Sequence, residues 1–375
     1  DDNGYTDDWR GYDFWSDDNS PQAGEENPDG DGTTHGSMVA GVIAASANNN
    51  LGGAGVNQQT KILPLQVFSD DSEAYTSSLV AAIYYAAEQN VDVINLSLGT
   101  SQYDSVLLEA IQAARASGVI VVAASGNCAL NDEPFCNPLE APGRMTYPAL
   151  YPSVLAVGAT TSGGVRASYS SYGPLLDIVA PGSNIGPLPV YNDLSTSSYA
   201  SASGTSFASP LVAGIAALLV AQTPSSSTSQ IEDVLINSVV KPSTMSGQNY
   251  TNEYGFGVVN AHRATLLNQA IAQSSSLGTG ELSARSPASG AIWRAATGTL
   301  ASDETIVIGC RTFPGDTCQA TLEKSGTILR YTTLVNSKSA DSQYFLVKAS
   351  DLTSGSWNTS VHSREYGKSI GTLVR

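Results

Sequence analysis

Apolar and polar positions follow one another in a regular succession over roughly the first 273 residues. Four short, largely apolar runs predict strands, at residues 61–68, 91–97, 119–124 and 154–159. Apolar residues at helical spacing predict helices at residues 77–89, 105–116, 228–239 and 260–272. Strands that alternate with helices in this way favour an α/β fold, in which a parallel sheet carries helices on both faces.

The pattern changes after residue 273. Residues 274–289 are rich in Ser, Gly and Ala, which is typical of a linker. Beyond it, short apolar alternations separated by Gly, Asp and Ser predict strands, for example at residues 305–308, 327–333 and 344–347. We therefore expect a first domain at residues 1–273 and a small β-sandwich-like domain at residues 290–375. The second domain could bind substrate or a surface, or could only stabilise the first.

Ser206 occupies the boundary between a turn and a predicted apolar helix. Small residues at positions 203, 204 and 208 permit a tight turn just before the helix begins. Unpaired backbone donors and the positive end of the helix dipole favour developing negative charge at such a point. Pro210 is expected in the first turn, where its missing N–H costs little. The motif suits a nucleophile, although it could equally be a Ser/Thr-rich cap on a buried helix.

His35 also opens a predicted apolar helix. The imidazole suits proton transfer near neutral pH. Of the three histidines, His262 lies in a polar helix and His362 in a serine-rich segment, so His35 is the candidate general base. A single histidine at a helix start can also be a simple cap or a surface group.

Asn127 ends the continuous apolar run that starts at residue 118. Such a run predicts a buried parallel strand, and open parallel sheets bind ligands at the carboxyl ends of their strands. A side-chain amide at that edge can donate a hydrogen bond to an oxyanion. The alternative is an ordinary asparagine in a turn.

Together these motifs resemble those of the subtilisin-like serine proteases, the subtilases. The family's His-Gly-Thr-His-Val-Ala-Gly motif is matched at residues 35–41, with departures at Ser37 and Met38. Its Gly-Thr-Ser-Met-Ala-Ser-Pro motif is matched at residues 204–210, with Phe207 in place of Met. None of these three departures falls on His35 or Ser206, the residues of the two motifs that would handle protons. The resemblance extends from about Gly11 to Gln273, which is most of the chain.

The resemblance implies a subtilisin-like α/β fold and a secreted endopeptidase of loose specificity. Ser206 would be the nucleophile, His35 the general base, and Asn127 would hold the oxyanion with the Ser206 backbone N–H. Protein or peptide substrates would pair with the backbone as a strand. The residues implied to bind them form two walls, Ser97, Leu98 and Gly99 on one side and Ala124, Ser125 and Gly126 on the other.

The third catalytic residue of the family, an aspartate, has no candidate in this sequence. In the family it precedes a Gly-aromatic-Asp-Phe segment, which is matched at residues 11–14, yet only ten residues precede that match. Asp29 and Asp31 come directly before His35 and are poorly placed to reach the far side of its ring. We expect a strand carrying the aspartate, and a leader and propeptide, to be encoded upstream of Asp1, and we expect this chain alone to have low activity.

Two other interpretations stay open. The chain could be a catalytically silent subtilase fold that serves as a binding or regulatory scaffold. It could also be an adhesion protein in which the C-terminal domain does the binding. An upstream sequence without the expected aspartate turn would favour the first interpretation, and retention of the isolated C-terminal segment on polysaccharide would favour the second.

No cofactor is expected for catalysis, but structural Ca²⁺ is possible at two places. The acid-rich residues 1–8 resemble part of a calcium loop, in which alternate oxygens wrap the ion and a glycine makes the turn. Residues 48–56 correspond to a loop that often binds structural calcium in subtilases. Each segment could instead be an ordinary solvated loop.

Composition points to an extracellular protein. A net charge of −17 argues against nucleic acid or an anionic membrane as a partner, because both require cationic patches. Cys128 with Cys136, and Cys310 with Cys318, are spaced to suggest two local disulfides, although free thiols or a zinc site are alternatives. No apolar stretch is expected to reach the roughly 18 residues that span a bilayer.

Overall fold

The computed structural model describes residues 5, 8, 10–21, 34–69, 73–130, 136, 143–191, 197–246, 248 and 250–276, together with seven strands between residues 291 and 374. The chain divides into two compact units. The first comprises Asp1–Leu218 and Pro242–Val258, and the second comprises Leu219–Lys241 and Val259–Arg375.

A four-stranded parallel sheet forms the centre of the first unit. Its strands lie in the order β3, β4, β5 and β6, namely Val93–Leu96, Ile120–Ala124, Leu155–Thr160 and Ile178–Pro181. All five residues of β4 are buried, as expected for a central strand that is covered on both faces. This confirms the predicted parallel sheet with helices packed against it.

The helices of the first unit lie close to their predicted positions. They are α1, α2, α3 and most of α4, at His35–Ala44, Thr76–Glu88, Ser105–Ala116 and Thr205–Gln222, with a short 3₁₀ turn at Ser243–Met245. Helix α3 has the predicted bounds because its sequence marks its start: Asp104 caps it by accepting from the backbone N–H groups of Val106 and Leu107. Its apolar face, which includes Leu107 and Ile111, is buried against the sheet.

The predicted strand at residues 61–68 is wrong in extent. Only β2 (Leu65–Gln66) forms there, and it pairs in parallel with β1 (Tyr12–Asp13), outside the four-stranded sheet. Pro64 has no N–H for a strand ladder, and its carbonyl accepts from the Tyr12 N–H at 3.2 Å. An apolar run that contains a proline therefore gives a short edge pair.

A hairpin leads into the Ser206 segment, and the sequence analysis missed it. It consists of β7 (Ile185–Tyr191) and β8 (Ser197–Ala202), which pair antiparallel. Its sequence is rich in Ser and Pro, so neither strand has a strong alternating pattern. The hairpin packs against α1, where a Cβ on Gly41 would lie 2.6 Å from the Pro189 ring.

The second unit contains α5 (Thr228–Asn237), α6 (Ala261–Ser276) and the C-terminal strands. Strands β9 to β15, at Ala291–Trp293, Thr305–Arg311, Thr317–Lys324, Thr327–Leu334, Ser342–Lys348, Ser356–Ser363 and Gly367–Val374, form two antiparallel sheets in the orders β13-β10-β9 and β12-β11-β14-β15. The predicted linker overlaps the end of α6, and its remaining residues lie outside the described part of the chain. The domain boundaries and the sandwich arrangement stay predictions.

Helix α4 contradicts the expectation that no apolar stretch is long enough to span a bilayer. It has 18 residues with a mean hydropathy of 1.6, so by length and composition it could span a bilayer. Its burial is that of a core helix, because 61% of it lies inside the protein. Among the described residues no other helix meets both criteria.

Candidate active site

Ser206 is the second residue of α4 and is half-buried. Its Oγ lies 3.4 Å from the carbonyl oxygen of Ser97, which follows β3. Pro210 is the sixth residue of α4, so the expectation that it lies in the first turn is wrong. In an α-helix the N–H of residue 210 would bond the carbonyl of residue 206, and proline has none. The Ser97 hydroxyl donates to that carbonyl instead, at 2.8 Å.

Asn127 lies just beyond the carboxyl end of β4. Its Oδ1 accepts from both the backbone N–H and the hydroxyl of Thr205, each at 3.0 Å. Because a backbone N–H can only donate, this contact identifies the oxygen and leaves Nδ2 on the other side of the amide. Nδ2 lies beside Gly204, 3.5 Å from where a Cβ would be, and has no acceptor among the described residues. The two hydrogen bonds from Thr205, the residue before Ser206, therefore fix the orientation of the amide and leave Nδ2 as its donor group.

His35 is the first residue of α1, which is positioned by apolar packing. The helix buries Met38, Val39 and Val42 in a cluster with Leu188 of β7 and Phe207 of α4. The His35 and Phe207 rings meet edge to face, with centroids 5.6 Å apart and planes at 64°. Because Phe207 directly follows Ser206, this contact brings the imidazole to the start of α4.

The two segments implied to bind substrate follow neighbouring parallel strands, β3 and β4. Beyond Ser97 and Leu98, which are half-buried, Gly99 is exposed, and Thr100 then pairs with Tyr147 through two backbone hydrogen bonds of 2.8 and 2.9 Å. On the other side Ala124, Ser125 and Gly126 are buried. The fold therefore sets a segment that ends in an exposed glycine beside a buried one.

Thr146 lies between these two segments, and the sequence analysis did not single it out. Its backbone N–H donates to Ser125 O at 3.0 Å, and its side chain is 2% exposed. A Cβ built on Gly99 would lie 2.5 Å from Thr146 Oγ1, and one on Gly126 would lie 2.9 Å from it. Thr146 thus fills the space that the two glycines leave open. A lone threonine carries no chemical motif, so only the folded geometry identifies it.

The segment at residues 11–14 belongs to an aromatic cluster with Tyr5 and Tyr85. The Tyr12 hydroxyl donates to Asp17 at 2.9 Å, and the Tyr85 hydroxyl donates to Asp8 at 2.6 Å. Burial first, and then these carboxylates, raise the pKa of Tyr12 to about 12 and also raise the pKa of Tyr85. Neutral tyrosines therefore hold this part of the protein together.

The structure describes only part of the acidic segments and calcium loops that the sequence predicts. Asp29 and Asp31 lie outside the described residues, as do residues 1–4, 6 and 7 of the predicted calcium loop. Within the described ranges no three His, Cys, Asp or Glu side chains cluster as metal ligands. In the loop at residues 48–56, Asn49 Oδ1 accepts from Leu51 N at 3.0 Å, so that oxygen closes a turn, and calcium there stays a prediction.

Cys128 and Cys136 lie at disulfide-bonding distance, with their Cα atoms 5.4 Å apart. This geometry agrees with the first of the two predicted disulfides. Cys310 and Cys318 lie on β10 and β11, and their pairing stays a prediction.

Comparisons with known proteins agree with this geometry. M-protease from Shouchella clausii (strain KSM-K16) is 41% identical over 235 residues, a match that spans 63% of this chain and 56% of that protein. Subtilisin BL from Lederbergia lenta is 40% identical over 235 residues, spanning 63% of this chain and 78% of that protein. The chain therefore spans little more than half the length of the first of these relatives.

The solved structure of a protease from Pseudoalteromonas arctica PAMC 21717 superimposes with a TM-score of 0.56 at 29% identity, covering 69% of this chain and 83% of that one. The family model for subtilases matches residues 3–257, which include His35, Asn127 and Ser206. The chain belongs to the subtilase family.

Proposed function

We propose that the protein is a serine endopeptidase in which Ser206, His35 and Asn127 carry the chemistry. The observation that supports this most is their convergence on the first turn of α4. The His35 ring contacts Phe207 on one side of Ser206, and Asn127 is anchored to Thr205 on the other. Side chains suited to act as base and donor, from distant parts of the sequence, therefore contact the residues on either side of Ser206, which supports the proposal.

In the proposed reaction Ser206 Oγ attacks the scissile carbonyl carbon while His35 takes its proton. The negative charge develops on the substrate oxygen, where Asn127 Nδ2 and the Ser206 N–H donate hydrogen bonds. His35 then passes the proton to the leaving amine, and the acyl-enzyme forms. Water, activated by His35 in the same way, releases the second product and restores the Ser206 hydroxyl.

Substrate would pair with the exposed backbone at Gly99, and its P1 side chain would enter between the two walls. Thr146 supports a preference for small P1 residues, because its side chain occupies the space between Gly99 and Gly126. Each methylene group that does not fit such a pocket raises the barrier for that substrate by roughly 1–3 kcal/mol. By the same principle, Thr146→Gly should raise kcat/KM for P1 Phe relative to P1 Ala by about 10- to 100-fold. An unchanged ratio would mean that Thr146 does not close the pocket.

The chain alone is proposed to have low activity, because no residue matches the family's aspartate. That residue orients the imidazole and stabilises its charged form, and replacing it lowers turnover about 10⁴-fold in well-studied serine proteases. A secreted location is proposed from the net charge of −17 and the Cys128–Cys136 pair. Protein or peptide substrates are proposed as partners.

Active-site labelling tests the proposal directly. The full chain is incubated with a fluorophosphonate probe, and the modified residue is located by mass spectrometry. We expect slow labelling at Ser206, none in Ser206→Ala, and a rate at least about 10²-fold lower in His35→Gln because the general base is gone. Ser229→Ala serves as the matched control, because Ser229 is also a half-buried serine in the first turn of a helix, and it should label like the parent.

The labelling result also separates the proposal from the scaffold interpretation. A folded chain whose Ser206 does not react faster than other serines would be a silent subtilase fold. Equal labelling of the parent and His35→Gln would show that the imidazole does not activate Ser206, and would contradict the proposed mechanism.

A further inference from the structure

A chain of three hydrogen bonds connects β3 to the start of α4. Ser209 Oγ donates to Asn95 Oδ1 at 2.7 Å, and Asn95 Nδ2 donates to Ser97 Oγ at 2.9 Å. Ser97 Oγ in turn donates to the carbonyl of Ser206 at 2.8 Å. Each hydroxyl has one proton, so every bond in this chain has one allowed direction.

Pro210 creates the need for this connection. Without a proline N–H, the Ser206 carbonyl has no helical donor, and an unsatisfied carbonyl in a partly buried site is unfavourable. The Phe207 N–H of the same peptide unit donates to Gly204 O at 3.1 Å. Both ends of the peptide unit after Ser206 are therefore bonded, one within the turn and the other through Ser97.

We propose that Asn95, supported by Ser209, is a positioning residue for the nucleophile. It acts through Ser97 to hold the Ser206 peptide, and with it the orientation of the Ser206 hydroxyl and N–H. This inference rests on the proposed peptidase function. Asn95 does not touch the reacting atoms, so it is not a catalytic residue.

Only an amide fits the position of Asn95. Its oxygen accepts from Ser209, which is fully buried, and its nitrogen donates to Ser97. A carboxylate of the same shape would still accept from Ser209 but could not donate to Ser97. The Ser97 hydroxyl would then turn toward the carboxylate and leave the Ser206 carbonyl. Asn95→Asp therefore tests the hydrogen bond at nearly constant volume.

The first test is the rate of Ser206 labelling by the fluorophosphonate probe. We expect Asn95→Ala, Asn95→Asp and Ser209→Ala each to slow labelling about 3- to 10-fold, the effect of one lost hydrogen bond. Because the bonds act in series, Asn95→Ala with Ser209→Ala should lose no more than the worse single variant. Ser97→Ala, which removes the middle hydroxyl of the series, should slow labelling as much as Asn95→Ala.

Asn237→Ala is the matched control. Asn237 is also a half-buried asparagine whose Nδ2 donates to a neighbouring group, the Asp233 carbonyl on α5. It should label at the parental rate. If Asn237→Ala slowed labelling equally, the slowing in the Asn95 variants would reflect a general loss of stability, and the proposal would be wrong. Parental rates in the Asn95 variants would also overturn it. So would multiplicative losses in the double variant.

Hydrogen exchange gives a second readout that does not need activity. In Asn95→Asp, the peptide spanning residues 203–209 should exchange faster, while β5 (Leu155–Thr160) should be unchanged. If the parent chain does not label, the peptidase proposal fails and this comparison alone decides on Asn95. Unchanged exchange at residues 203–209 would then overturn the positioning role.

Discussion

The two halves of the candidate site are built by different forces. The half with Ser206 and Asn127 is fixed by directed hydrogen bonds at the carboxyl ends of β3 and β4. The half with His35 is placed by the apolar packing of α1 on the β7–β8 hairpin and Phe207. Hydrogen bonds set orientation, whereas apolar packing sets position. Apart from His35 itself, substitutions in the first half should therefore mainly change rate, and those of the packing residues in the second half should mainly change stability.

Phe207→Ala should give the largest effect. The ring is 5% exposed and joins α1 to α4, so its loss should destabilise the protein by about 3–5 kcal/mol. Phe207→Met, the residue of the family motif, should cost less than about 1.5 kcal/mol. Urea denaturation measures both. Equal stability of the two variants would show that Phe207 is not a packing link between the helices.

Asn127→Ala should lower the reaction rate strongly and the stability only modestly. Labelling or turnover should fall roughly 10²- to 10³-fold, about 2.7–4 kcal/mol of barrier, a range measured within this enzyme family. The loss of two accepted hydrogen bonds should change unfolding by only about 1–3 kcal/mol. Steady-state kinetics and denaturation on the same sample make the comparison. A large loss of stability with little change in rate would reverse the assigned roles.

Alkaline pH should weaken the aromatic cluster near β1. The pKa of Tyr12 is raised to about 12, against about 10 in the unfolded chain, so the folded state keeps a proton that the unfolded state releases. This stabilisation is complete below about pH 10 and is lost as the pH rises through about 12. Tyrosinate absorbance followed together with circular dichroism should show late, cooperative ionisation. Tyr12→Phe should reduce that dependence on pH but not remove it, because the pKa of Tyr85 is raised as well. Early ionisation in the folded parent would contradict the buried cluster.

Asp104→Ala should give the smallest effect. It serves as the control for the half of the site with Ser206 and Asn127. Asp104 caps α3 through two backbone N–H groups, and losing such a cap costs about 1 kcal/mol. The labelling rate of Ser206 should not change, because α3 carries no residue of the site. Thermal denaturation measures the loss. A drop in labelling would mean that α3 transmits strain to the carboxyl ends of the strands.

The sequence predicted those elements whose pattern is local. The apolar run at residues 119–124 predicted β4, and the helical spacing at residues 105–116 predicted α3, in each case almost to the residue. The strand at residues 61–68 failed because Pro64 interrupts its ladder, and the β7–β8 hairpin was missed because its polar, proline-rich strands lack alternation.

The residues of the candidate site likewise divide into those that a local motif predicts and those that only the folded structure identifies. Ser206, His35 and Asn127 lie in motifs that the sequence displays. Thr146 and Asn95 matter through neighbours distant in sequence, Gly99 for the first and Ser209 for the second. No local pattern records such contacts, so they emerge only when the strands are aligned in the sheet.

The anchoring of Asn127 has a consequence for the ageing of the protein. Deamidation that yields aspartate would convert the amide to a carboxylate that still accepts both bonds from Thr205. The group beside Ser206 would then carry negative charge where the reaction itself creates negative charge. Molecules with aspartate at this position would therefore keep both anchoring bonds while losing the donor beside Ser206, a change that mass spectrometry would reveal and a folding assay could miss.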